Sequence, residues 1–101
     1  MIGLAYAMTG EIESILKTTD AKLLETVSGV PIYEVAPGIL AFAGGVGKVN
    51  AAMSTQLFID RHHPDWIINA GVAGSFLDLP IGTILLADSF IQHDVDTTAM
   101  G

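Results

Sequence analysis

Hydrophobic residues come in short continuous runs over most of this chain, and turn-forming residues separate the runs. Short apolar runs of this kind are typical of strands that are covered on both faces of a sheet. A continuous apolar run therefore predicts a covered strand at residues 2–8, and short β-like runs predict strands at 22–27, 32–35 and 39–43, with further strands at 65–69 and 81–92. Ser28-Gly29 and Pro37-Gly38 are turn signals between the second, third and fourth strands, and this succession indicates an antiparallel meander.

Two segments have helical spacing instead. In residues 11–17, apolar side chains fall on one side, and Thr9-Gly10 interrupts the preceding strand. In residues 47–62, apolar side chains recur at four-residue spacing, and Pro64 follows the end of the segment. Strands and helices together indicate an α/β protein.

The ends of the predicted strands carry the candidate chemistry. Glu11 follows the first strand and opens a helix, and residues 43–49, 67–74 and 91–97 make the same kind of strand-to-turn transition. Open α/β sheets build their sites where such strand ends converge. We therefore expect a site there, with Glu11 as a general base that activates water. A first-turn carboxylate that stabilises the helix dipole is the alternative interpretation.

Glycine-rich turns have two interpretations as well. Gly44-Gly45-Val46-Gly47 precedes a helix and could offer N–H groups to an anion, although its spacing matches neither a dinucleotide fingerprint nor a P-loop. Glycines also allow a tight turn and close packing. The small residues at 71–74 also have two interpretations: they let a flat ligand approach the backbone, or they let two elements of the fold pack closely.

Composition narrows the class of protein. The chain has 101 residues, of which half are apolar and 15% charged, so it forms one domain or a piece of one. It has no cysteine, and a net charge of −7 with only four Lys and Arg residues argues against nucleic acid. The N-terminus lacks a basic leader and no run is long enough to span a membrane, so we expect a cytoplasmic protein without a membrane partner.

Two polar clusters raise the hypothesis of a metal site. Adjacent residues of a strand point to opposite faces, so the acidic and histidine side chains of one cluster cannot easily share an ion, and we expect no metal. Helix-end histidines are favourable simply as C-terminal cations. The clusters are His93, Asp94 and Asp96, and His62, His63 and Asp65.

Four segments, in this order and spacing, closely resemble the 5′-methylthioadenosine/S-adenosylhomocysteine nucleosidases. They are GLAYAM at 3–8 followed by Glu11, GVGKVNAA at 45–52, IINAGVAG at 67–74 and QHDVDTT at 92–98. The resemblance implies a nucleoside phosphorylase-like fold, a mixed sheet flanked by helices, assembled as a homodimer. It also implies hydrolysis of the N-glycosidic bond of an adenine nucleoside in methionine salvage, with no cofactor.

The resemblance assigns roles to individual residues. Glu11 aligns with the carboxylate that activates the attacking water. Positions that bind substrate in the family correspond to Ala7, Met8 and Val46 on the ribose and alkylthio side, Val72, Ala73 and Gly74 on the adenine turn, and Thr97 and Met100, which reach the neighbouring subunit's pocket. Val72 replaces a serine that many members carry.

The resemblance runs through residues 1–101, which correspond to the N-terminal portion of a single nucleosidase domain. The family's C-terminal part, with the aspartate that protonates adenine and the glutamate that holds the ribose hydroxyls, has no counterpart in this sequence. The fold is therefore expected to be incomplete in this chain, which alone is expected to be inactive and to associate or partly unfold. Alternatives are a nucleoside phosphorylase, a futalosine hydrolase, and a non-catalytic nucleoside-binding or assembly module.

Overall fold

A five-stranded mixed sheet with a helix against each face forms the body of the computed structural model, which describes residues 1–100. The elements are β1 (Ile2–Tyr6), α1 (Thr9–Thr18), β2 (Lys22–Val27), β3 (Val30–Ala36), β4 (Ile39–Ala43), α2 (Lys48–His62), β5 (Trp66–Asn69) and a short 3₁₀ helix (Thr98–Met100). The strand order is β2-β3-β4-β1-β5. β1 runs parallel to β4 and β5, whereas β3 runs antiparallel to its neighbours β2 and β4.

Most of the predicted elements are confirmed. The meander occurs as expected, and β2 and β4 have the predicted bounds. β1 ends at Tyr6, two residues early, because Thr9 already begins α1. The predicted fold class, a mixed sheet flanked by helices, is confirmed.

The strand predicted at residues 81–92 is wrong. Within the described residues this segment contains no strand, and it begins with a turn in which the Thr83 N–H donates to the Pro80 carbonyl at 3.2 Å. Apolar composition suggested the strand, but a strand also needs a hydrogen-bonding neighbour. Ile81, Ile84 and Phe90 are exposed, so within residues 1–100 little apolar packing holds this segment extended.

Alternation along the central strands creates two apolar layers. Leu40 and Phe42 of β4 face α2, where the Phe42 and Phe58 rings stack with centroids 4.6 Å apart. Ala41, between them, points to the opposite face and packs with Ile12 of α1. Because successive side chains of a strand alternate between faces, the continuous run ILAFA serves both layers.

Gly44, immediately after β4, lets α2 approach the sheet. A Cβ at this position would lie 1.9 Å from the Ser54 Oγ, and Ser54 is buried in α2. We expect Gly44→Ala to lower the free energy of unfolding by about 1–3 kcal/mol through overpacking, measured by urea denaturation. Gly10→Ala is the matched control, because a Cβ at Gly10 of α1 meets nothing within 4 Å. Equal losses in the two variants would contradict this packing.

A surface ion pair joins β2 to the end of α2. The Arg61 Nε donates to the Glu25 Oε1 at 2.8 Å, and the His62 Nε2 lies 2.9 Å from the same oxygen. The Arg61 hydrogen bond is the main cause that lowers the pKa of Glu25 to about 2. The pair therefore links the meander to α2 only while Glu25 is ionised.

This link makes stability depend on pH. A carboxyl group with a depressed pKa stabilises the fold above its ordinary pKa of 4.5, and that contribution is lost as the pH falls from 4.5 toward about 2. We expect Glu25→Gln to lower Tm at pH 6 and to flatten the fall in Tm between pH 4.5 and 2.5. Glu13→Gln is the control, since Glu13 is an exposed carboxylate 3.6 Å from Lys17. A pH profile unchanged by Glu25→Gln would refute the link.

Candidate functional site

Three turns meet at the carboxyl edge of the parallel strands β1, β4 and β5. The Gly44 and Gly45 N–H groups donate to the Tyr6 and Ala7 carbonyls at 2.9 Å each, and the Ala70 N–H donates to the Ala5 carbonyl at 3.1 Å. These hydrogen bonds continue the sheet pairing past the strand ends. The convergence of strand ends was predicted from the sequence, and this edge is where open α/β sheets bind ligands. The predicted transition at residues 91–97 is not one of these turns, because no strand directly precedes it in the described residues.

Glu11 lies at the centre of this edge, in the first turn of α1. Its Oε2 accepts hydrogen bonds from the Ala7 and Met8 N–H groups at 3.0 Å each. Its Oε1 accepts a longer one, of 3.4 Å, from the Val72 N–H in the turn after β5. A Cβ at Gly71 would lie 3.1 Å from the same oxygen, so this turn passes close to the carboxylate.

The charge of Glu11 is stabilised by the backbone. The Met8 N–H is the largest influence on the pKa of Glu11, partial burial opposes it, and the Val72 and Ala7 N–H groups add to it, so that the pKa is lowered. Glu11 is therefore ionised at neutral pH and accepts protons or hydrogen bonds. Its contacts with Ala7 and Met8 are those of a helix-capping carboxylate, whereas the contact with Val72 joins strand ends far apart in sequence.

A cavity of about 500 Å³ opens beside this edge on the α2 side of the sheet. Three of the residues predicted to bind substrate line it: Ala7, Met8 and Val46. Residues 28–31, which are the turn between β2 and β3 and the first two residues of β3, form another wall together with Asn50 and Met53 of α2. A volume of this size suits a small organic ligand.

A second cavity, of about 650 Å³, lies in the segment after β5. Val72, Ala73 and Gly74 line it, together with residues around the 80–83 turn. Glu11 touches turns of both cavities, through Met8 on one side and Val72 on the other. Neither Thr97 nor Met100 lines these two cavities in the described part of the chain, and Met100 is exposed in the 3₁₀ helix.

The glycine-rich turn before α2 has the conformation that its glycines allow. Gly47 precedes the first residue of α2 with a φ of 95°, a region that glycine enters without strain. The Asn50 side chain donates to the Val46 carbonyl at 2.8 Å and secures the turn. Tight turning and close packing, one of the two interpretations, are therefore confirmed.

Four of the six residues in the two metal hypotheses have other partners. His62 contacts Glu25, Asp65 pairs with the N-terminal amine, and Asp94 pairs with Lys48. Asp96 accepts a hydrogen bond from the Thr98 N–H at 3.0 Å, which is the main cause that lowers its pKa. Within residues 1–100, no group of three His, Asp or Glu side chains is arranged to hold a metal ion.

Sequence patterns did not identify every residue of this edge. Ser28-Gly29 was predicted only as a turn between strands, and the helical spacing of residues 47–62 did not place Met53 beside a cavity. Lys48 follows a glycine-rich turn whose spacing does not match a P-loop, yet its Nζ reaches Gln92 and Asp94. No local pattern reveals these contacts, because each joins positions far apart in sequence. Of the helices described in residues 1–100, none has the length and apolarity to cross a membrane.

Comparison with known proteins identifies the class. The family model of the phosphorylase superfamily matches residues 2–101, and the chain belongs to that superfamily. More particularly, it is similar to the 5′-methylthioadenosine/S-adenosylhomocysteine nucleosidases. It is 35% identical to the one from Shewanella loihica over 104 aligned positions, covering 99% of this chain and 45% of the relative.

Solved structures agree with this similarity. The fold matches a mutant of the Helicobacter pylori nucleosidase with 5′-methylthioadenosine in its active site, at a TM-score of 0.85 and 31% identity, covering 98% of this chain and 45% of that one. It also matches the futalosine hydrolase of Helicobacter pylori, at a TM-score of 0.86 and 30% identity, over the same shares. The chain thus spans less than half the length of these relatives.

Proposed function

We propose that this chain supplies the water-activating half of a purine nucleosidase that hydrolyses the N-glycosidic bond of 5′-methylthioadenosine and S-adenosylhomocysteine. The observation that carries the proposal is the Glu11 carboxylate, held ionised by backbone N–H groups at an edge with two cavities. Residues 1–101 act as the N-terminal portion of a single domain. The names of the similar proteins support this substrate class.

Glu11 performs the base chemistry in this proposal. Departure of adenine leaves an oxocarbenium-like sugar, and a carboxylate beside the anomeric carbon orients a water molecule and takes its proton. The backbone contacts use only part of the lone-pair capacity of the two oxygens, so the carboxylate keeps room for water. Protonation of the departing purine requires a second acid, which corresponds to the part of the relatives that this chain does not span.

In this proposal, different residues of the two cavities contact different parts of the substrate. Ala7, Met8 and Val46 offer small and apolar surface to the ribose and alkylthio group. The turn at Val72, Ala73 and Gly74 receives adenine, and the missing side chains at its glycines let a flat ring approach the backbone. Thr97 and Met100 complete the pocket of the second subunit in a homodimer.

Water is favoured over phosphate as the nucleophile. A phosphorylase needs cations or a donor cage for the phosphate dianion. Three of the four Lys and Arg residues are already paired: Lys17 with Glu13, Lys48 with Asp94 and Arg61 with Glu25. The ionised Glu11 would also repel an anion at the strand edge. The same charges fit a neutral or cationic nucleoside, handled in the cytoplasm as part of methionine salvage.

Adenine release tests the proposal. The 101-residue chain is assayed alone, and combined with the portion of the Shewanella loihica relative that has no counterpart in it. We expect the combined preparation to release adenine from 5′-methylthioadenosine at a rate independent of phosphate. Release only with phosphate would identify a phosphorylase. A clear preference for futalosine over 5′-methylthioadenosine would identify a futalosine hydrolase instead. No release from a preparation that co-elutes as an assembly would overturn the catalytic proposal.

A further inference from the structure

A lysine outside both cavities connects two parts of the proposed site. Lys48 is the first residue of α2, and its Nζ donates to the Gln92 Oε1 at 2.9 Å and to the Asp94 Oδ1 and Oδ2 at 2.9 and 3.0 Å. An ammonium group has three protons to donate, and this arrangement directs them to one short segment. These contacts span more than forty positions of sequence.

The segment that Lys48 holds has its own compact turn. The Asp96 Oδ1 accepts from the Thr98 N–H at 3.0 Å and from its hydroxyl at 2.7 Å, and the Met100 N–H donates to the Thr97 carbonyl at 2.9 Å. Residues 96–100 are therefore ordered by local hydrogen bonds. Asp94 lies two residues before this turn, so fixing Asp94 also restricts where Thr97 and Met100 are placed.

The other end of the tether lies beside the first cavity. Lys48 follows Gly47 and is two residues from Val46, which lines that cavity. The Asn50 side chain holds the Val46 carbonyl, so the start of α2 and the cavity wall form one unit. The Lys48 contacts thus join the cavity wall to the segment that carries Thr97 and Met100.

We infer that Lys48 is a positioning residue of the proposed site: through Gln92 and Asp94 it fixes residues 92–100 against the start of α2. The inference rests on the proposed function, in which Thr97 and Met100 contribute to substrate binding. Lys48 touches no reacting group in this role. Its loss affects substrate binding because residues 92–100 then sample more conformations.

The solvent exposure of the Lys48–Asp94 pair sets the expected size of the effect of removing it. The Lys48 and Asp94 side chains keep 56% and 53% of their surface in contact with solvent. Exposed ion pairs contribute little, so removal of this one corresponds to roughly a 2–5-fold change in local equilibria. The effect is expected to become smaller near 1 M salt, where the Debye length falls to about 3 Å and the attraction between the two charges is weakened.

Hydrogen exchange and steady-state kinetics test the inference together. In Lys48→Met we expect amide exchange within residues 92–100 to rise about 2–5-fold, and KM for 5′-methylthioadenosine in the combined preparation to rise by a similar factor, with kcat within about 2-fold. Lys48→Arg, and the charge swap Lys48→Asp with Asp94→Lys, should restore both values. Lys17→Met is the control, because Lys17 pairs only within α1, with Glu13.

The two measurements separate this inference from the proposed function. Unchanged exchange in Lys48→Met would overturn the tether, and raised exchange with unchanged KM would overturn its positioning role. A fall in kcat at constant KM would overturn it as well. If the wild-type preparation releases no adenine, the catalytic proposal fails. Calorimetric binding of 5′-methylthioadenosine then replaces KM. The same Kd in wild type and Lys48→Met, or no binding at all, would overturn the positioning role.

Discussion

Replacement of Glu11 by Gln is expected to lower kcat for adenine release by about 10²–10⁴-fold, with little change in KM. The Gln side chain retains an oxygen that accepts from the Ala7 and Met8 N–H groups, which Glu11 does at 3.0 Å. It therefore preserves the start of α1, but an amide does not take a proton from water. The kinetics are measured in the combined preparation under saturating and limiting substrate.

Glu13→Gln is the matched control for this variant. Glu13 lies in the same helix, is exposed, and has Lys17 at 3.6 Å as its partner. Its replacement should leave kcat within about 2-fold, since changes at exposed positions are small. If Glu11→Gln retains wild-type turnover, Glu11 serves only to cap α1. If it loses activity and unfolds, a Glu11→Asp variant that stays folded provides the comparison of kcat.

Local patterns were sufficient to predict most of the sheet. β2 is a β-like run of mixed polarity followed by Ser28-Gly29, and β4 is a continuous apolar run preceded by Pro37-Gly38, so strand and turn signals agreed. α2 was equally clear, because its apolar spacing ends just before Pro64. Residues 81–92 failed because an apolar run indicates burial without indicating a partner. β1 is also an apolar run, but it has β4 and β5 as hydrogen-bonding neighbours. Apolar side chains in residues 81–92 stay exposed.

The candidate site was predicted less completely than the sheet. The carboxyl ends of β1, β4 and β5 were expected to meet, and their turns do so around Glu11. The Val72 contact with Glu11 could not be anticipated from composition, because it depends on parallel pairing of β1 with β5. Nor could the Lys48–Asp94 pair, since opposite charges far apart in sequence have many possible partners.

The roles of Ala7, Met8, Val46, Val72, Ala73, Gly74, Thr97 and Met100 in substrate binding stay predictions. The geometry divides them into residues beside the first cavity, residues beside the second, and the 92–100 segment. Glu11 contacts turns of the first two groups, through Met8 and Val72. Thr97 and Met100 are proposed to act in the neighbouring subunit's pocket, so one nucleoside is not expected to contact all eight residues of one chain.

Phe58 is where we expect the largest loss of stability. Its ring is buried, stacks on Phe42 at 4.6 Å, and lies so close to β1 that a Cβ at Gly3 would be 2.4 Å from its Cε1. Phe58→Ala removes this contact from both β1 and β4 and is expected to lower the free energy of unfolding by about 3–5 kcal/mol. This is a large loss, because the whole free energy of unfolding of a natural domain is only about 5–15 kcal/mol.

Urea denaturation of Phe58→Ala, Phe58→Leu and Val49→Ala measures this loss. Val49 lies on the same helix but is 84% exposed, so its replacement should cost less than about 0.5 kcal/mol. Phe58→Leu keeps much of the volume and should fall between the two, which preserves a measurable transition if Phe58→Ala does not fold. Similar values for all three would mean that α2 is not held by Phe58. Because α2 begins at Lys48, a helix that packs loosely would no longer hold the turn at Val46 in place. We therefore expect a variant that loses stability here to lose the shape of the first cavity as well.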